Sequence, residues 1–146
     1  MNPQPGSSRI TSAARYFRGV DAGIFPAELF SADFEFFYPK FGVARGVQAF
    51  TRMAEGVRQA LVSSRHHQDR LDFMEAGNRV IVEGTTEGID RDGVEWCGGK
   101  TPGGRFCSVF EFNDDGLITR MYIYLDPDLT SKDSTRFIRS GRHHDW

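Results

Sequence analysis

Apolar residues recur at helical spacing twice in this chain, and both stretches fall before residue 62. Ala13, Tyr16, Phe17 and Val20 follow 3, 4 and 7 spacing, which predicts a helix capped by Ser12, running to about Ala22 and ended by Gly23. Val47, Phe50, Ala54, Val57 and Leu61 make one stripe, predicting a helix over 47–61. Between them, Pro26 fits the first turn of a short helix over 26–30. Asp33-Phe34-Glu35-Phe36-Phe37-Tyr38 reads as a strand stopped by Pro39, and 42–46 as a loop.

After residue 65 the pattern changes to period two. Residues 66–75 alternate late, with Leu71 and Phe73 on one face, and Ala76-Gly77-Asn78 turns the chain. Strands are expected at 80–88, rich in Val, Ile and Thr, and at 106–112 and 117–125. The glycine-rich stretch 90–104 reads mostly as loop, with Val94 and Trp96 able to extend a strand. Three helices around one early strand, followed by four strands joined largely by hairpins, define an α+β class. A curved antiparallel or mixed sheet wrapping three N-terminal helices would form a cone with an interior. The expected organisation is a flexible leader over 1–11, a single domain over 12–128 and a polar tail over 129–146.

Composition narrows the function. A 39% hydrophobic and 26% charged chain is ordinary for a soluble globular protein. The 13 phenylalanines are more aromatic volume than a small core needs, so they either line an apolar cavity or pack a Phe-rich core. A net charge of −2 offers nothing to attract nucleic acid or an anionic membrane. No apolar run approaches the ~20 residues of a membrane span, and Met1 to Thr11 holds no signal core. Cys97 and Cys107 could form one disulfide, but two free thiols of a cytoplasmic protein is the simpler reading. Neither they nor the pairs His66-His67 and His143-His144 have partners at metal-site spacing, so no metal or cofactor is expected.

The candidate chemistry starts at Asp126, which closes the apolar run Met121 to Leu125 before Pro127. A carboxylate so placed either loses water and becomes suited to acid–base work, or stays solvated and caps the strand. Strict alternation puts Asp126 on the face of Arg120, Tyr122 and Tyr124, opposite Met121 and Ile123, so only a bulge would turn it inward. His67 shares parity with Leu71 and Phe73 and suits proton transfer near neutral pH, while His66 points the other way. The alternative for His67 is a solvated strand start. Glu83 and Asp33 are weaker candidates. Trp96 with Gly98-Gly99-Lys100-Thr101 reads as a mobile flap over a cavity, and lacks the context of a phosphate loop.

Four stretches carry a family resemblance: Ala14-Arg15-Tyr16-Phe17 with Val20-Asp21-Ala22-Gly23; Leu29-Phe30-Ser31-Ala32-Asp33; Gly104-Arg105-Phe106 with Phe110-Glu111-Phe112; and Asp115-Gly116-Leu117-Ile118 running to Tyr124-Leu125-Asp126. Their order over 12–127 resembles the nuclear transport factor 2-like superfamily, which includes ketosteroid isomerase, limonene epoxide hydrolase, scytalone dehydratase and the SnoaL-like polyketide cyclases. Tyr16 matches the oxyanion tyrosine of the isomerases. Tyr38 and Ser108 replace their base and their second donor, which argues against a steroid isomerase mechanism. The Arg-x-Asp pair of the epoxide hydrolases is absent from 80–86. A SnoaL-like member fits these departures.

The resemblance implies a cystatin-like cone and an enzyme of isomerase, cyclase, dehydratase or hydrolase type, acting without a cofactor on a small hydrophobic molecule. Asp126 would move the proton, relayed with His67, and Tyr16 and Tyr38 would hold the oxygen that gains charge. The expected pocket residues are Phe17, Phe36, Phe50, Val82, Trp96, Phe106, Ser108, Phe110 and Tyr124. The alternative is a non-catalytic ligand-binding or interaction module of the same fold. A homodimer through the outer sheet face is also implied.

Overall fold

The computed structural model describes residues 7–137. Its first helix, α1, runs Ser8–Asp21. Ser7, not Ser12, caps it, the Ile10 amide donating to Ser7 Oγ at 3.2 Å. The earlier start carries the apolar stripe back to Ile10, which packs on the core with Ala13 and Phe17. The expected leader is therefore helical from Ser8. Its first six residues lie outside the described residues, as do 138–146 with His143 and His144.

The short helix expected at 26–30 is a single 3-10 turn, Ala27–Leu29. Phe30 is already extended, with φ −112° and ψ 148°, and opens β1, Phe30–Tyr38. Alternation in Phe30, Phe34 and Phe36 thus draws the segment into the sheet, leaving two α-helices among the described residues. The expected loop at 42–46 is instead a strand, β2 (Gly42–Arg45), paired with β1 as a hairpin. Helix α2, Gly46–Ala60, buries Ala49, Phe50 and Met53, while Val47 at its first turn is exposed.

The strand expected over 66–75 is two strands. β3, Leu61–His66, ends at His66; a 3-10 turn, Gln68–Arg70, follows; then comes β4, Asp72–Ala76. The remaining strands are β5 (Arg79–Asp90), β6 (Glu95–Cys97), β7 (Arg105–Phe112) and β8 (Ile118–Leu125). They form one mixed sheet in the order β2-β1-β8-β7-β5-β3, parallel only between β1 and β8. β5 is long enough to be shared. Its first half pairs with β4 and β7, and its second half with β3 and β6. Register shifts in the β1–β8, β3–β5 and β7–β8 ladders bend the sheet around the helices.

Phe34, Phe36, Val80, Val82, Phe110 and Met121 are fully buried on the inner face against Tyr16 and Phe17. Each such side chain contributes roughly 1.5–3 kcal/mol. Gly88 on β5 lets β6 approach: a Cβ there would stand 2.2 Å from the Ser63 carbonyl and 2.3 Å from the Trp96 ring. The start of the expected tail also packs, with Thr130 Oγ1 donating to Asp90 at 3.2 Å and Lys132 paired with Asp90 at 3.1 Å. No helix among the described residues is long and apolar enough to cross a membrane.

Candidate functional site

The helices and the inner sheet face enclose a cavity of about 380 Å³. Phe17, Phe50, Met53, Phe106, Ile123 and Leu125 are among the residues of its apolar wall. Polar groups enter at Tyr16, Tyr38, Ser108, Thr86 and His66, and Arg58 and Arg105 add positive charge. The phenylalanine excess therefore does both jobs the composition allowed. Phe17, Phe50 and Phe106 line the cavity, while Phe34, Phe36 and Phe110 fill the packed core beside it.

A helix end and a strand end meet beside this wall. Asp21 is the last residue of α1 and His66 the last of β3. His66 Nδ1 lies 2.6 Å from Asp21 Oδ1, and the side chains keep only 22% and 19% of their exposure. Gln68 Nε2 donates to the other carboxylate oxygen at 2.6 Å, and the His66 amide donates to it at 3.1 Å. Burial pushes the Asp21 carboxyl up, but these hydrogen bonds from His66 and Gln68 outweigh it and hold the carboxyl below its ordinary value. An ionised carboxylate only accepts, so Nδ1 is the donor in this contact and Nε2 is the ring nitrogen left for other partners. Phe17 and Phe106 hold the imidazole edge-on, at 5.0 and 5.1 Å between ring centres.

Tyr16 is buried at the same cavity. Burial first, then the charges of Tyr38 and Asp21, raise its phenol well above the ordinary value. Burial raises Tyr38 as well. Both phenols stay protonated at neutral pH and remain donors.

The structure separates the residues that the sequence suggested. Tyr16, Tyr38, Phe17, Phe50, Phe106 and Ser108 all line the cavity. Asp126 does not. It is exposed, and its Oδ1 accepts from the Asp128 amide at 2.9 Å, the capping arrangement of a turn at proline. No bulge interrupts the β7–β8 ladder from Phe106↔Leu125 to Glu111↔Arg120, so alternation keeps Asp126 on the outer side. His67 also lies away from the cavity, with Nδ1 2.6 Å from Thr85 Oγ1 and Nε2 3.0 Å from Glu87. The parity assigned to His67 assumed one strand from 66 to 75, and the break after His66 removes that assumption.

Phe36, Val82 and Phe110 belong to the packed core rather than the cavity wall. Trp96 is buried over β5 and donates to Thr86 Oγ1 at 3.0 Å, so it is a fixed packing residue rather than part of a flap. Tyr124 is 49% exposed on the outer face, stacked on Tyr122. Glu83 is exposed.

Asp21 and His66 are the residues that sequence reasoning passed over. One signal was available: Asp21 stands four residues after Phe17, on the buried face of the helix. For His66 there was none, because its face depends on where β3 ends.

An α+β cone with a polar-tipped apolar cavity is the architecture of the nuclear transport factor 2-like proteins, and solved structures agree. A nuclear transport factor 2-like protein of unknown function from Burkholderia pseudomallei is similar at TM-score 0.72 and 16% identity, over 86% of this chain and 99% of its own. TerC, crystallised with polyporic acid, is similar at TM-score 0.69 and 22% identity, over 82% of this chain and 92% of its own. A candidate polyketide cyclase from Xanthomonas campestris pv. campestris gives 0.68 and 16%, over 82% and 90%. At these identities the likeness concerns the fold. The chain belongs to the SnoaL-like domain family, whose profile matches residues 13–121. No curated protein sequence matches it significantly.

Proposed function

We propose that this protein is an acid–base enzyme acting on a small hydrophobic molecule that carries a carbonyl or hydroxyl group, in a reaction of the isomerase, dehydratase or cyclase type. The observation that carries this reading is the 2.6 Å contact of Asp21 with His66 Nδ1 at the cavity wall. Asp21 orients the ring and stabilises the imidazolium, and His66 Nε2 removes a proton from carbon next to the substrate carbonyl. Tyr16 and Tyr38 donate to the oxygen that gains charge. The protonated His66 then returns the proton to carbon or to a departing hydroxyl. This reading moves the proton-transfer role from Asp126 and His67 to Asp21 and His66.

The test is deuterium exchange next to the carbonyl of small aromatic ketones, followed by proton NMR in heavy water. The full chain should promote exchange, and His66→Ala should not. Binding without exchange in the unmodified chain would make the protein a ligand-binding module instead.

The outer sheet face supports a homodimer in the same proposal. Phe37, Tyr122 and Tyr124 form a contiguous aromatic row there, with ring centres 5.6 and 6.1 Å apart. Val43, the ladder partner of Phe37, is 68% exposed beside it. Two free thiols fit the cytoplasmic expectation.

A further inference from the structure

The half of β5 beyond Gly84 carries two different faces. Thr86 points to the cavity, so Thr85 and Glu87 point to the opposite side of the sheet. The ladders then assemble three side chains on that side. His67 follows directly on the His66↔Thr86 pair, and Cys97 is the cross-strand partner of Glu87. One nitrogen, one oxygen and one sulfur from these residues all lie within 4.8 Å of one another. His67 is buried, and Glu87 and Cys97 are half-buried, so the group is sheltered yet reachable from solvent.

We propose that His67, Glu87 and Cys97 form a binding site for a zinc-type divalent cation, on the far side of the sheet from the cavity. The donor set selects the metal class. A thiolate with an imidazole and one carboxylate suits zinc or cobalt, and leaves magnesium and calcium short of oxygen ligands. Tetrahedral bonds of ordinary length place such ligand atoms about 3.4–3.6 Å apart. Here His67 Nε2 is 3.0 Å and Cys97 Sγ 3.8 Å from Glu87 Oε2, each within about half an ångström of that spacing, and all three atoms lie within 4.8 Å of one another. Water would complete the tetrahedron from the open side. A thiolate and a carboxylate balance the two positive charges.

The neighbours orient the three donors. Arg65 Nε donates to Glu87 Oε1 at 2.6 Å, which leaves Oε2 to face His67 and Cys97. Thr85 Oγ1 sits 2.6 Å from His67 Nδ1 and can accept the Nδ1 proton once a cation takes the place of the Nε2 proton that faces Glu87. Nothing in the sequence spacing of 67, 87 and 97 marks this group, because β5, β6 and the residue just past the end of β3 bring it together. The site shares no residue with the cavity wall, so it stands or falls independently of the proposed reaction.

The experiment is titration of the reduced, full chain with cobalt(II), read by absorbance. The expected result is a thiolate-to-cobalt charge-transfer band with tetrahedral d–d bands, saturating at one equivalent and abolished by excess zinc. Cys97→Ser should remove the charge-transfer band, and Cys107→Ser should keep it. Thr85→Val should retain the band and weaken binding about 10–100-fold. Glu87→Gln, away from the core, gives a second variant that should lower affinity without removing the thiolate band. The proposal is overturned if no such band forms at one equivalent, or if it survives Cys97→Ser.

Discussion

The Asp21 carboxylate and the His66 imidazole meet at 2.6 Å across 45 positions of sequence, one closing α1 and the other closing β3. The contact fixes a tautomer. Nitrogen-15 NMR of the histidine rings should find His66 protonated at Nδ1 and bare at Nε2. Asp21→Asn should disturb that assignment and lower the exchange rate about 10²–10⁴-fold, with a smaller change in ligand affinity. A variant that keeps the full rate would remove Asp21 from the mechanism.

Tyr16 should be the last of the four tyrosines to ionise. Its phenol is raised in the folded state by burial, then by Tyr38 and Asp21. The unfolded chain therefore loses this proton first, and the associated stability, complete below about pH 10, is lost as pH rises beyond it. In an ultraviolet difference titration the last phenol to ionise should be lost in Tyr16→Phe, with the raised Tyr38 phenol remaining.

Carboxylates set the acid side. Hydrogen bonds from His67 and Arg65 hold Glu87 at about 2, against an ordinary 4.5, and Asp21 is also lowered. For a lowered acid the stabilisation is present above the unfolded value and disappears as pH falls through the folded one. The urea midpoint should therefore drop between about pH 4.5 and about pH 2, and Glu87→Gln should flatten that drop.

Two glycines should respond in opposite directions to alanine. At Gly88 the new Cβ would meet the Ser63 carbonyl and the Trp96 ring, at a cost of about 1–3 kcal/mol. Gly56, inside α2, has open space around it, and alanine there should stabilise by roughly 0.5–1 kcal/mol. Urea denaturation of both variants gives the comparison.

The aromatic row on the outer sheet face predicts self-association. Light scattering of the full chain should report a dimer, and Tyr124→Lys, a change at a 49% exposed position, should shift it to monomer without loss of helix signal. Monomer alone at high concentration would end that proposal.

The sequence by itself determined the periodic elements. The stripe through Ala13 and Phe17 and the alternation through Val80 and Val82 are local patterns, and each became a helix or a strand because one face had to leave water. Tyr16, Phe17, Phe50 and Phe106, which the family resemblance marked as site residues, line the cavity, whereas Phe36, Val82 and Phe110 from the same set pack in the core. Tertiary structure decided what lies at element ends, where periodicity stops carrying information. The end of β3 after His66 turns that ring towards Asp21 and sends His67 to the opposite face, so adjacent histidines serve different places. Asp126 stayed outside because an unbroken ladder preserved its phase, and a ladder is a property of two strands, not of one. The dyad and the His67–Glu87–Cys97 group both depend on such pairings, between segments whose separation in sequence gives no sign that they meet.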